Sequence, residues 1–343
     1  MNLDSQPRFR LARLPTPVQE ATRLREALGG RLACPRILLK RDDLTDLALG
    51  GNKARKLEFL VGDAKLKGAT VLITTGGVQS NHARMTAAAA RIAGMNAELV
   101  LSSNHVSPET QGNLLIDRLL DATVHFVHGS DSKDAAAAEA QKIVDVIAAL
   151  ERDGEVPYLV PLGGSNAIGT LGYVDATREL MAQLDELRLR PTRLYHASGS
   201  RGTQAGLELG ARLFNASYRC TGIAVSGGEP GKRDHAVRIA NEAATLLGVA
   251  TRIMPDDLVT DQDHYGEGYA IPTEACIEAI RLVMRTEGVL LDPVYSGKAM
   301  AGVLAHIRDG ELKASETIVF LHTGGVPGFF AQAGPVLKLL GAM

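Results

Sequence analysis

The chain has 343 residues, 45% hydrophobic and 22% charged, which suits one large or two medium globular domains and excludes a disordered chain. Its 37 basic and 39 acidic side chains leave a net charge of -2, so no general pull toward nucleic acid or anionic membrane exists and any anion site must be local. Cys34, Cys220 and Cys276 are few, far apart and without CxxC spacing, which points to reduced thiols rather than a disulfide framework or zinc site. The opening MNLDSQPRFRLARLPTP lacks the apolar core of a signal peptide, and no later run is long enough to span a bilayer. A cytoplasmic protein with no membrane partner is expected.

From Arg36 onward, short β-branched runs alternate with longer amphipathic ones. RILLK, TVLIT, AELVL, TVHFV, PYLVP, RLYHA, CTGIAV, TRIM and TIVFLH read as strands with helices between them, a rhythm of βαβ units and mostly parallel sheet covered on both faces. In LALGGNKARKLEFL (47–60) a helix begins after a glycine pair and carries Lys53, Arg55 and Lys56 in its first turn. There the macrodipole favours anions, not cations. DAAAAEAQKIVDVIAAL (134–150) is an amphipathic helix that needs no functional role. The alternation predicts a small α/β domain, 53–162, inserted between 1–52 and 163–343 of a larger one.

Four glycine-rich strand ends could carry chemistry. HASGSRGTQAGLELG (196–210) leads from a strand into a helix, and its small residues leave N–H groups uncovered for a phosphate. Neither GxGxxG nor GxxxxGK[ST] is present, so a single phosphate monoester fits better than a dinucleotide or ATP. In TTGGVQSNHARMTAAAARIAG (74–94), Ser80, Asn81 and His82 open an alanine-rich helix, where they can cap it or hold a substrate carboxylate. LLDPVYSGKAMAG (290–302) offers the hydroxyls of Tyr295 and Ser296, and HTGGVPGFF (322–330) closes the same cleft. His125 and His128 lie three apart on a strand and face opposite ways, so no metal pair is expected, and HExxH and GxSxG motifs are absent. A lysine at a helix N-terminus is disfavoured as an ammonium ion and suits Schiff-base chemistry, so Lys53 with a phosphate loop points to pyridoxal phosphate (PLP). Arg55 is expected on a solvated face, and Lys56 is either a helper or a surface charge.

GGNKARKLEFL, VQSNHAR, GGSNAIGTLGY, SGSRGTQAG, LDPVYSGKAMAG and HTGGVPG together resemble the PLP-dependent D-cysteine desulfhydrase and 1-aminocyclopropane-1-carboxylate (ACC) deaminase family, from about Leu14 to Phe330. The resemblance implies an α/β fold of the tryptophan synthase β type (fold type II), with two open parallel-sheet domains, PLP between them and a homodimeric assembly. It implies that Lys53, beside Asn52, binds the cofactor covalently, that Asn81 meets its phenolic oxygen, and that Gly199, Ser200, Arg201, Gly202 and Thr203 form its phosphate cup. Ser80 matches a serine near the substrate, and Tyr295 and Tyr269 match tyrosines on the reacting face, with Tyr269 in the looser GYAIPTEA segment. Ser80, Asn81 and His82 would fix the carboxylate of a small amino acid. ACC deaminases carry glutamate where this chain has Ser296, facing the pyridine nitrogen. A hydroxyl gives a shallower electron sink and favours β-elimination over ring opening, as does His82. The expected function is a β-elimination lyase acting on D-cysteine or 3-chloro-D-alanine, with Lys53 or Tyr295 as the Cα base. L-cysteate sulfo-lyase, for which Arg201 could supply an extra cation, ACC deaminase and a PLP-binding carrier are the alternatives.

Overall fold

The computed structural model describes residues 1–103, 109–128 and 132–341. Among them the strands are β1 (Val18–Glu20), β2 (Arg36–Arg41), β3 (Val71–Gly77), β4 (Asn96–Ser102), β5 (Thr123–Val127) and β6 (Pro157–Val160). They continue with β7 (Arg193–Ser198), β8 (Arg219–Ala224), β9 (Val259–Asp261) and β10 (Thr317–His322). The helices are α1 (Thr22–Ala27), α2 (Lys53–Leu66), α3 (Asn81–Ile92), α4 (Gly112–Leu119), α5 (Ser132–Arg152) and α6 (Ala167–Glu186). After these come α7 (Gly202–Leu213), α8 (Gly231–Leu246), α9 (Glu274–Glu287), α10 (Ser296–Arg308), α11 (Val326–Ala331) and α12 (Ala333–Leu339).

The strands form two sheets, ordered β1-β2-β10-β7-β8-β9 and β5-β4-β3-β6. All pairings are parallel except that of β1 with β2. One expected strand, TRIM at 251–254, is irregular chain. Pro255 follows it, lacks an N–H for a ladder, and opens a short 3-10 turn over Pro255–Asp257; the sheet edge is β9 instead. The three-residue β1, VQE, is too short and polar to be read as a strand.

Each sheet is buried on both faces, as parallel sheets require. In the six-stranded sheet, Ile37, Tyr195, Ile223 and Phe320 pack with Leu24, Val283, Met300 and Leu304 of α1, α9 and α10. Its other face packs Leu38, Leu194 and Val319 with Tyr173, Leu180 and Leu207 of α6 and α7. In the four-stranded sheet, Leu72 and Leu99 pack with the alanines of α3 and with Leu57 and Leu60 of α2, and Val71 and Ile73 meet Val146 of α5.

Arg55 corrects an expectation. It is not on a solvated face but 1% exposed, because α6 lies directly against the first turn of α2. Gly172 permits that approach: a Cβ there would collide with the Arg55 carbonyl group. The Arg55 guanidinium donates to both Asp42 oxygens, at 2.9 Å each, and to both Glu179 oxygens, at 2.8 and 3.0 Å. Tyr173 also donates to Asp42 at 2.6 Å, and Lys40 to Glu179 at 2.5 Å. Burial alone would raise the Asp42 carboxyl, but Arg55, Lys40 and Tyr173 outweigh it and hold it below its usual range. Glu179 is held down in the same way, against its burial, by Arg55 and Lys40.

Removing one member leaves a buried charge unpaired, so Arg55→Ala should lower the urea-unfolding free energy by about 3–5 kcal/mol. Arg55→Met combined with Asp42→Leu should cost less than Arg55→Ala. Because both carboxyl groups titrate lower in the folded chain, their stabilisation is complete above their unfolded values near about 4 and vanishes as pH falls through the folded ones. Acid unfolding of Arg55→Ala should therefore begin at higher pH than that of the parent chain.

Candidate active site

The carboxyl ends of β3 and β4 in one sheet, and of β7, β8 and β10 in the other, open onto one cavity of about 360 Å³. Strand ends of this kind are where open α/β sheets bind ligands. Asn52, Lys53, Ser80, Asn81, His82, Gly199, Ser200, Arg201, Thr203, Tyr269 and Tyr295 all line it. Gly202 and Ser296 are not among the lining residues.

Lys53 is the first residue of α2, as expected. Its Nζ donates to Asn52 Oδ1 at 3.0 Å, and Asn52 Nδ2 donates to Thr203 Oγ1 at 3.1 Å. The amine is thereby tied to the start of α7. Burial pulls its pKa down to about 8; the Asp292 carboxylate opposes this, and Arg84 adds to it. Burial, rather than the helix dipole alone, is what destabilises the ammonium form. Lys56 is 1% exposed, so it is not a surface charge. Its Nζ donates to the Gly163 carbonyl at 3.1 Å and would lie 2.9 Å from a Cβ on Gly202, just behind the start of α7. Burial, then the charge of Lys53, moves it well below the ordinary lysine value.

At the start of α7 the main-chain N–H groups of Ser200, Arg201 and Thr203 have no hydrogen-bond partner among the described residues. Gly202 N–H donates to Ser165 Oγ at 3.3 Å. Arg201 precedes the helix with φ of +68°, a left-handed conformation that glycine adopts most easily. Its side chain holds that turn: Nη1 donates to Ser198, Gln204 and Thr260 at 2.9, 2.8 and 2.7 Å, and Nη2 pairs with Glu229.

At the start of α3, Ser80 is the cap, its Oγ accepting from Ala83 N–H at 3.2 Å. The N–H groups of Asn81 and His82 have no partner among the described residues. Asn81 Oδ1 accepts from Asn113 Nδ2 at 3.1 Å. His82 Nε2 lies 2.9 Å from Thr74 Oγ1, whose own proton goes to the Val160 carbonyl oxygen at 2.8 Å. Nε2 must then be the donor, which leaves Nδ1 a bare acceptor. Burial, with Lys53 and Lys56, keeps the imidazole neutral. The His82 ring is therefore no cation for a carboxylate, although its main-chain N–H is free to bind one.

The Tyr269 and Tyr295 hydroxyls are 2.5 Å apart, with the rings edge to face. Burial foremost keeps both phenols protonated well into the alkaline range. Ser296 is fully buried, and its hydroxyl faces Asp292: it donates to Oδ1 at 2.6 Å and accepts from the Asp292 N–H at 2.8 Å. Asp292 is one of two carboxylates that line the cavity, with Glu139 of α5, and sequence reasoning missed both. Asp292 also accepts from the N–H groups of Val294, Tyr295 and Ser296 at 2.8–3.0 Å. An Asp-Pro turn with serine four residues on, just before a helix, was the signal available for it.

A model of the pyridoxal-phosphate dependent enzyme family matches residues 9–324. The chain belongs to that family. It is thus a PLP-dependent enzyme with fold type II, rather than a carrier. It is 39% identical over 329 residues to a D-cysteine desulfhydrase of Yersinia enterocolitica, covering 95% of this chain and 96% of that one. It is 37% identical to a putative ACC deaminase of Pyrococcus abyssi, over 97% of this chain and 96% of that one. A crystal structure of an ACC deaminase homologue, 39% identical, superposes with a TM-score of 0.87 over 98% of this enzyme and 97% of that chain.

The position of Arg84 makes Lys53 testable. Arg84→Met removes a positive charge that acts on the amine, so the Lys53 midpoint should move upward from about 8. The pH dependence of Lys53 acylation in the apoprotein, read by peptide mass mapping, measures it. A downward movement would contradict the electrostatic account.

Proposed function

We propose that the enzyme is a carbon–sulfur lyase that converts D-cysteine and water to pyruvate, ammonia and hydrogen sulfide, and also accepts 3-chloro-D-alanine. One observation carries this reading: a single cavity joins Lys53, with its amine near 8, to a helix-start cradle of unpaired N–H groups and to a pair of neutral phenols.

The residues fit the cofactor. Ser200, Arg201 and Thr203 would hold its phosphate through main-chain N–H groups aided by the α7 dipole, with Lys56 behind them. Asn52 would orient Lys53, and Asn81 would meet the ring edge. When bound, PLP supplies a covalent attachment for the substrate amine and a delocalised sink for the Cα electrons. Ser80 Oγ and the N–H groups of Asn81 and His82 bind the substrate carboxylate at the start of α3. Lys53 Nζ, whose pKa burial lowers to about 8, takes the Cα proton in its neutral form. Tyr295, linked to Tyr269, stays protonated and donates from its hydroxyl to the departing sulfur.

Two contacts favour D-cysteine over its rivals. Ser296 supplies a hydroxyl where ACC deaminases carry a carboxylate, and Asp292 already accepts main-chain hydrogen bonds at both oxygens and the Ser296 hydroxyl at Oδ1. That supports expulsion of a leaving group over cyclopropane opening. The Arg201 guanidinium is committed to Glu229 and three neutral partners, which leaves it poorly placed to receive the sulfonate of L-cysteate. The D-cysteine desulfhydrase relatives add weight.

The reading includes two domains, 1–52 with 163–343 and 53–162, supported by the confinement of β3 to β6 to their own sheet. It also includes a homodimer, supported by exposed Leu32, Leu162 and Phe330, and a cytoplasmic setting, supported by three buried free thiols. No helix among the described residues is long and apolar enough to cross a membrane.

Product release from D-cysteine, L-cysteine, L-cysteate, D-serine and ACC tests the function. Pyruvate should form fastest from D-cysteine, and Lys53→Ala should slow it by about 10²–10⁴-fold or more. Release of 2-oxobutyrate from ACC as the best reaction would contradict the proposal.

A further inference from the structure

Away from the cavity, near the edge of the six-stranded sheet, three metal-ligating side chains converge. Asp261 ends β9, His264 lies in the segment that follows, and His306 comes from α10. Asp261 Oδ2 is 3.0 Å from His264 Nε2 and 2.9 Å from His306 Nε2. All three ligand atoms fall within 4.8 Å of one another. A tetrahedral zinc ion with bonds of about 2.0–2.1 Å holds its ligand atoms about 3.3 Å apart. The two edges that meet at Asp261 would have to lengthen by a few tenths of an ångström to seat such an ion.

The surroundings have the form of a ligand support as well. His306 Nδ1 is 3.0 Å from the Tyr195 hydroxyl, which fixes the ring. Asp261 Oδ1 accepts the Asp263 N–H at 2.8 Å, which leaves Oδ2 turned to the two imidazoles. Asp263 and Asp309 add negative charge beside His264. The three side chains are 13–19% exposed, so an ion can enter from solvent.

The location ties this cluster to the active site. The segment 262–272, between β9 and α9, carries Tyr269 into the cavity. Helix α10 already grips it once: Lys298 Nζ donates to the carbonyl groups of Tyr265 and Gly268 at 2.7 and 2.8 Å. His306, on the same helix, faces the base of the segment.

We propose that Asp261, His264 and His306 bind a divalent transition-metal ion of the zinc class, and that this ion clamps the segment presenting Tyr269 to the cavity. Each imidazole ligates through Nε2 once its proton moves to Nδ1, from which His306 donates to the Tyr195 hydroxyl oxygen. Asp261 Oδ2 and water complete the coordination.

The test is titration of Co²⁺, then Zn²⁺, into PLP-loaded enzyme bearing no added histidine tag, with visible d–d absorption and amide hydrogen exchange as readouts. One Co²⁺ per chain should give the intense bands of a four-coordinate site, and Zn²⁺ should displace it. Exchange across 262–272 should slow with Zn²⁺. His264→Gln and His306→Gln, each shown folded by its circular dichroism and PLP absorbance, should abolish both effects. His125→Gln, which removes another carboxylate-paired histidine, should leave them intact. Absence of saturable Co²⁺ binding below millimolar concentration, or binding that persists in the doubly substituted His264→Gln, His306→Gln chain, would overturn the site. Binding without slowed exchange would overturn the clamp.

Discussion

The guanidinium of Arg55, enclosed by Asp42 and Glu179, fixes where α2 begins and in which direction Lys53 leaves it. Three basic residues in one helical turn would ordinarily seek water. Here Arg55 and Lys56 are buried, Lys53 is half-buried at the cavity, and each charge is managed differently. Arg55 keeps its charge because two carboxylates surround it. Lys56 is pushed well below its usual value and rests on a carbonyl oxygen. Lys53 is pulled to about 8 at the wall of the cavity.

That arrangement connects the fold to the chemistry. Asp42 follows β2 and Glu179 sits on α6, so the ion pairs lock α2 against both a strand end and the helix that crosses it. From α2 the chain of contacts runs through Asn52 to Thr203, at the start of α7. The amine and the helix-start N–H groups proposed to hold the phosphate are therefore set by one corner rather than by two independent loops. Such placement suits a reaction in which one amine must serve both the cofactor and the Cα proton.

Much of this was legible in the sequence for physical reasons. The β-branched runs and glycine-rich strand ends predicted the parallel α/β fold, because strand periodicity and turn chemistry are local properties. TRIM failed because its apolar residues flank a proline that no ladder accommodates. Arg55 was misread because its burial depends on Gly172, more than a hundred positions away, which lets α6 approach. Asp292 escaped notice because a carboxylate beside proline looks like a turn until the fold brings it to Lys53. His82 could be placed at the start of a helix from its motif, but its tautomer follows from Thr74 and Val160, which only the sheet brings to it.

The central claim is that Lys53, and not the buried Lys56 or Lys298, is the amine that engages the cofactor. Borohydride reduction of the PLP-loaded enzyme followed by peptide mass mapping tests it most directly. The account predicts a single phosphopyridoxyl adduct on the peptide carrying Lys53, with Lys56 and Lys298 unmodified. Stoichiometric labelling of Lys56, or no covalent adduct in an enzyme that turns over, would contradict it.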